Sequence, residues 1–133
     1  MKVLKELIEQ SGELPELRLF VRDENGVPQP TGPHRVKLLD TTRIVKATSP
    51  RGKERYEVEL HIEEEGVEKT YNFPVKAEDK DGNPTGSLHY LVKRLAEFEY
   101  GQEVVLEGKK ERGASFVEVK PAPKYGDDIP VVD

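Results

Sequence analysis

The sequence predicts a mainly β domain with one internal helix, in the order strand, strand, strand, helix, strand, strand. Two observations lead to this class. Apolar residues alternate with polar ones along five segments between residues 34 and 120, which is the period of half-buried strands. Between the third and fourth segments the apolar spacing changes to three and four residues, the period of a helix. The length of 133 residues favours a single domain with short appendages.

An extension, residues 1–32, is predicted ahead of this domain. It begins with an amphipathic helix at residues 2–10, whose apolar stripe consists of Val3, Leu4, Leu7 and Ile8. Residues 17–22 then alternate as a short strand. The Pro-rich stretch at residues 27–33 is interpreted as a stiff connector.

Three strands open the domain, which we place at residues 33–121. The first covers residues 34–47, and a strand of this length needs a bulge or bend near residues 40–42. The second alternates over residues 56–62 and the third over residues 67–75. Three aromatic residues share the apolar phase of these strands and are predicted to lie in the core: Tyr56, Tyr71 and Phe73.

A helix and two strands complete the domain. After a turn-rich loop at residues 78–86, Ser87 is the predicted N-cap of a helix that ends at Gly101. Its apolar face consists of Leu88, Leu91, Val92, Leu95 and Phe98. The last two strands are expected at residues 103–109 and 114–120.

This element order is that of the OB-fold, a five-stranded Greek-key barrel with a helix plugging one end. A plain antiparallel α+β sheet is the alternative. Residues 122–133 contain few apolar side chains before their end and are predicted to be a flexible acidic tail.

Composition restricts the function. The chain has no cysteine, which excludes disulfides and thiolate metal sites. It has no apolar run long enough to span a membrane and no signal-peptide pattern, so we expect a cytoplasmic protein. Its histidines lack metal-ligand spacing and its serines lack a nucleophile motif. We therefore predict neither enzymatic activity nor a metal ion or cofactor.

Charge is segregated along the chain. The net charge of −5 is unfavourable for nucleic-acid binding. However, residues 31–55 carry seven basic side chains and only two carboxylates. Basic residues concentrate around the two loops that would flank an OB-fold cleft. The candidate phosphate contacts are Arg43, Lys46, Arg51, Lys53 and Arg55 near the first loop and Lys109, Lys110 and Arg112 on the second.

One aromatic residue is predicted to be exposed. Phe116 falls in the phase opposite to Val117 and Val119, where it would stack a base or contact another subunit. The outward face of the second and third strands is acidic, which favours a protein ligand instead.

The C-terminal residues carry a family resemblance. An OB-like domain followed by a Pro-rich stretch and Asp127, Asp128, Ile129 and Pro130 resembles the bacterial and phage-type single-stranded DNA-binding proteins. The resemblance implies a part in DNA replication and repair, with an acidic tail that recruits partner proteins and competes with DNA for the basic cleft. This chain departs from the family where Val131, Val132 and Asp133 replace a terminal aromatic residue, and it has no tryptophan.

We therefore expect non-catalytic binding of single-stranded nucleic acid, most simply DNA. The alternative is an OB-like protein–protein adaptor that does not bind nucleic acid. In either case Leu4, Leu7 and Ile8 would pair with a second copy of the chain to form a homo-oligomer, or fold back and cap the barrel.

Overall fold

The computed structural model describes residues 14–123, which form a mainly β structure with one short helix, as predicted. The strands are β1 (Phe20–Arg22), β2 (Pro28–Pro30), β3 (Pro33–Leu38), β4 (Arg43–Thr48), β5 (Glu54–Glu64), β6 (Val67–Pro74), β7 (Lys76–Glu78), β8 (Pro84–Leu88), β9 (Glu103–Glu111) and β10 (Ala114–Pro121), and the helix is α1 (Tyr90–Leu95). The predicted helix at residues 2–10 and the tail motif at residues 127–130 lie outside the described residues.

One antiparallel sheet of six strands forms the body of the structure. β5 is at its centre, with β3 and β4 on one edge and β6 on the other. The order continues from β3 to β9 and then to β10. The predicted bend in a long first strand is confirmed, because β3 ends at Leu38 and β4 begins at Arg43 along the same edge of β5.

Two tight turns set the register of the hairpins. Glu65 and Gly66, between β5 and β6, both have positive φ angles of 52° and 79°. Arg112 and Gly113, between β9 and β10, repeat this with 51° and 80°. Two consecutive left-handed residues make the turn whose twist matches that of the flanking strands. Each turn therefore keeps the apolar side chains of its two strands on one face.

The core lies between this sheet, α1 and the segment before β1. It contains Leu17, Leu19, Val36, Leu38, Leu60, Ile62, Phe73, Leu91, Val104, Leu106, Val117 and Val119. Leu19 and Phe20 cross β9 at Gly108, where a Cβ atom would lie 2.6 Å from the Leu19 carbonyl oxygen and 2.8 Å from the Phe20 ring. Only glycine permits this close approach.

A series of side-chain hydrogen bonds connects the end of the β1–β2 hairpin to the sheet. The Thr31 hydroxyl donates to the Arg18 carbonyl oxygen at 2.8 Å and lies 2.7 Å from His34 Nε2. His34 Nδ1 lies 2.7 Å from Glu64, which also accepts from Lys69 at 2.8 Å. Burial would raise the pKa of Glu64, but the hydrogen bonds from Lys69 and His34 lower it. Because the Thr31 hydroxyl donates its hydrogen to a backbone carbonyl, Thr31 fits a structural anchor better than a catalytic nucleophile.

No ladder within residues 14–123 joins β6 to β10, so the sheet does not close on itself by strand pairing. Other groups occupy the facing edges. On β6, Thr70 donates to the Pro15 carbonyl at 2.9 Å and its carbonyl accepts from Leu17 at 2.7 Å. On β10, Val117 donates to the Tyr90 hydroxyl at 2.8 Å, and the Val119 carbonyl accepts from Arg94 at 2.9 Å.

The helix begins later than predicted. Its N-cap is His89, whose Nδ1 accepts from Leu91 N at 3.1 Å, whereas Ser87 and Leu88 belong to β8. The cause is a hairpin that the sequence pattern did not indicate: β8 pairs with β7, and Leu88 is 41% exposed. Desolvation lowers the pKa of His89, which favours the neutral ring that can accept this hydrogen bond.

Candidate nucleic-acid interface

A groove runs across one end of the sheet, between β4 and β5 on one side and the β7–β8 hairpin on the other. Its volume is about 650 Å³. Ile44 and Tyr56 lie on its floor with 64% and 62% of their surface exposed. The remaining lining residues are Lys46, Glu54, Arg55, Pro74, Val75, Lys76, Glu78, Pro84 and Thr85. The groove thus combines an apolar floor with charged walls.

The prediction that Tyr56 lies in the core was wrong. Alternation assigned the correct face of β5, since Leu60 and Ile62 on that face are buried. However, α1 covers this face only as far as Val58, which lines one surface depression together with Val92 of the helix. Tyr56 lies beyond the covered part. Phe73, at 4% exposure, lies in the core as predicted, whereas Tyr71 is partly buried and packs against the core. Burial raises the pKa of Tyr71 to about 12.

Each predicted cation of β4 and β5 has a carboxylate partner. Arg43 bonds Glu59 at 2.8 Å, and this bond lowers the pKa of Glu59. Lys46 lies 3.2 Å from Glu54. The pair of Lys46 with Glu54 is exposed, so it contributes at most about 1 kcal/mol and is readily exchanged for another anion. In the other pair Arg43 is exposed but Glu59 is largely buried.

Arg55 is more firmly held. Its guanidinium contacts Glu57 at 2.8 Å and Glu78 at 2.6 Å, and all three side chains are largely buried. Desolvation would lower the pKa of Arg55, but the hydrogen bonds to Glu57 and Glu78 outweigh it and raise that pKa. Arg55 therefore joins β5 to β7 and has little capacity left for a phosphate.

The turn between β4 and β5 contributes two further predicted cations. The Lys53 ammonium donates to Asn83 Oδ1 at 2.6 Å and to the Asp81 carbonyl at 3.3 Å. The Arg51 side chain lies against Gly82, whose Cβ position would be 2.9 Å from Arg51 Cδ. Both cations therefore reach from the turn to the tip of the β7–β8 hairpin.

The β9–β10 hairpin carries the other predicted set. Lys109 lies 3.4 Å from Glu107, whereas Lys110 and Arg112 form no ion pair with any residue that the structure describes. Phe116, predicted to be the exposed aromatic residue, is half-buried and lines a shallow depression next to Arg112. The structure thus separates the predicted residues into a mostly paired set around the groove and a mostly unpaired set on this hairpin.

Sequence reasoning missed three groove residues: Ile44, Tyr56 and Lys76. One signal was available for Tyr56, which follows the basic turn by three residues and pairs across the ladder with Lys46. An aromatic residue so close to a cationic turn is typical of a surface that stacks bases. Ile44 and Lys76 had no such signal, because the position of the β7–β8 hairpin makes them part of a groove.

Within residues 14–123, no group of three or more His, Asp or Glu side chains could hold a metal ion. The one helix described is too short to cross a bilayer. No family model, no curated protein and no solved structure matches this chain.

Proposed function

We propose that this protein binds single-stranded nucleic acid, most simply DNA, without catalysing a reaction. The exposed ring of Tyr56 in the groove carries the proposal, because it offers a stacking surface between cationic side chains. Stacking on an aromatic ring contributes about 1–3 kcal/mol per base and is tolerant of sequence. Ile44 beside it extends the apolar floor.

The strand pairing supports an OB-like barrel as the scaffold. In this interpretation β3 with β4 is the bent first strand, β5 and β6 are the second and third, and β9 and β10 are the fourth and fifth. The antiparallel ladder of β3 with β9 agrees with the proposal, as does the position of α1 between the third and fourth strands. The groove then lies beside the loop between the first and second strands, where OB-folds grip oligomers.

Phosphate contacts are assigned by the availability of each cation. On the β9–β10 hairpin, Arg112 forms no ion pair with a described residue and Lys110 interacts with Asp23 electrostatically without a close ion pair. Lys46 lines the groove, and Arg51 and Lys53 lie against the tip of the β7–β8 hairpin. We give Arg43 a lesser part and Arg55 a structural one, since carboxylates already hold both guanidinium groups. Phe116 remains a second stacking candidate. Partner recruitment or self-screening by residues 127–130 remains part of the proposal.

Stacking is tested by fluorescence anisotropy with a labelled oligothymidylate of about 20 nucleotides and a matching duplex. We expect the wild type to favour the single strand and Tyr56→Ala to weaken binding about 5- to 100-fold, the loss of one stacked base. Tyr100→Ala is the matched control, because Tyr100 is 61% exposed but lies outside the groove. No binding by the wild type at low salt, or equal losses in both variants, would refute the proposal.

Phosphate contact is tested through salt dependence. Replacing both Lys110 and Arg112 by alanine should lower the affinity. It should also reduce the magnitude of the slope of log affinity against log salt concentration by up to about 1.4. The control variant, with Lys37 and Lys93 replaced by alanine, has the same net charge but loses exposed cations from β3 and α1. Equal slopes for the two variants would remove the β9–β10 hairpin from the interface.

A protein adaptor is the second candidate function, and a specific observation favours it. Within the described residues β4 pairs only with β5, so one edge of β4 is free beside the exposed Ile44. A free edge can accept an extended peptide as an additional strand. If the full chain fails to bind the oligonucleotide at low salt, the adaptor becomes the leading interpretation.

A further inference from the structure

The β7–β8 hairpin forms one wall of the groove without contributing to the core. None of its strand residues belongs to the core: Ala77 and Glu78 are partly buried, and all five residues of β8 are exposed. Its ladder has two registered pairs with an irregularity between them. An element with so little buried apolar surface opens at a low free-energy cost unless other contacts hold it.

The contacts that hold the hairpin come mainly from two cations, one in the turn between β4 and β5 and one at the start of β5. Lys53 contacts the tip at Asn83 and Asp81, and Arg55 contacts β7 at Glu78. At the base of the hairpin, Val75 donates to the Tyr56 carbonyl at 3.1 Å, which fixes where the hairpin starts but not where its tip lies. The tip is therefore attached by the polar contacts of Lys53 and by the Arg51 side chain, which lies against Gly82.

The turn of the hairpin is folded independently of Lys53. Asp79 Oδ1 accepts from the backbone N–H groups of Asp81 and Asn83 at 2.9 Å each, and Gly82 donates to the Asp79 carbonyl at 3.0 Å. Losing Lys53 would thus leave the turn intact and free the tip to move about the ion pair of Arg55 with Glu78, which remains. A phosphate is a stronger partner for an ammonium group than a neutral amide oxygen is.

We propose that the β7–β8 hairpin is a movable wall of the groove, which the phosphates of a single strand release by taking Lys53 and Arg51 away from its tip. This inference rests on the proposed function and concerns the regulation of that same site. The contact between Lys53 and Asn83 holds the wall closed in the free protein. Part of the phosphate-binding free energy is then used to break this contact.

The movement is tested by paramagnetic relaxation in ¹⁵N-labelled full-length protein. The chain has no cysteine, so a spin label on Lys80→Cys, at the hairpin tip, is unique. In the free protein it should broaden the amide signals of residues 51–53, and saturating oligothymidylate should reduce this broadening several-fold. The control label on Glu24→Cys, in the turn between β1 and β2, should keep its broadening of Gly108.

The two hypotheses fail differently in this experiment. In one outcome, anisotropy shows binding but the label at the hairpin tip still broadens the signals of residues 51–53. The hairpin is then fixed, so the movable wall is refuted and the proposed function stands. If the oligonucleotide does not bind, both are refuted.

A substitution gives an independent readout. Asn83→Ala removes the acceptor that competes with phosphate for Lys53, so we expect the oligonucleotide to bind about 2- to 5-fold more tightly. Asn25→Ala, in the turn between β1 and β2, is the control and should leave affinity unchanged. Weaker or unchanged binding by Asn83→Ala would overturn the movable wall.

Discussion

The β1–β2 and β7–β8 hairpins share one local sequence pattern, Asp-x-Asn/Asp-Gly-x-Pro, at residues 23–28 and 79–84. Their turns have the same hydrogen bonds. In each, the first aspartate accepts two backbone N–H groups at 2.9 Å through Oδ1, and the glycine has a positive φ angle of 76° or 80°. In each, a lysine of a neighbouring hairpin, Lys110 or Lys53, contributes to lowering the pKa of that aspartate.

The attachments of the two hairpins differ. The β1–β2 hairpin follows Leu19, which is 2% exposed, and its Phe20 packs on the core at Gly108. The β7–β8 hairpin contributes no strand residue to the core and depends on Lys53 and Arg55. A local sequence therefore determines the turn, whereas distant residues determine whether the hairpin is fixed by apolar packing or held by exchangeable charges.

The largest change in stability that would test this comparison is expected from a substitution at Gly108. Gly108→Ala should lower the free energy of unfolding by about 1–3 kcal/mol, because the new Cβ would overlap the Leu19 carbonyl and the Phe20 ring. Gly86→Ala, in β8, is the control, since its Cβ would meet no atom within 4 Å. Urea denaturation measures both variants. Equal stability would mean that packing at Gly108 does not fix the β1–β2 hairpin.

A smaller effect is expected where the β1–β2 hairpin returns to the sheet. Thr31→Val removes the hydroxyl between the Arg18 carbonyl and His34, and should cost about 0.5–1.5 kcal/mol. Thr85→Val, in β8, removes only an exposed bond from Ser87 at 3.2 Å and should change stability by less than about 0.5 kcal/mol. If thermal and urea unfolding rank these variants in the opposite order, the polar anchor is not part of the difference between the hairpins.

The sequence was sufficient where local pattern decides the structure. Strands β5 and β6 could be predicted from strict alternation, and the break at residues 39–42 from polar residues inside a long strand. The start of α1 could not, because the pairing of β8 with β7 places Leu88 in a strand. A helical apolar spacing does not reveal that Leu88 pairs instead with Lys76, twelve positions earlier in the chain.

The candidate site was predicted in part for a similar reason. The positions of the cations could be obtained from the sequence, but their partners could not, since Arg43 meets Glu59 through ladder register and Arg55 meets Glu78 through the position of β7. Tyr56 was misassigned because alternation gives the face of a strand but not the point where the covering layer ends.

The smallest difference between the hairpins is expected in acid. Hydrogen bonds from Val27 and Asn83, respectively, are the largest causes that lower the pKa values of Asp23 and Asp79 below 3.8. A carboxyl group whose pKa is lowered by folding contributes stability above its unfolded pKa and loses it as the pH falls through the folded value. Both turns should therefore loosen together below about pH 4, which the amide chemical shifts of Val27 and Asn83 report in an NMR titration. A midpoint at clearly different pH for the two amides would mean that the turns are not equivalent, and that the difference between the hairpins begins in the turn rather than in the attachment.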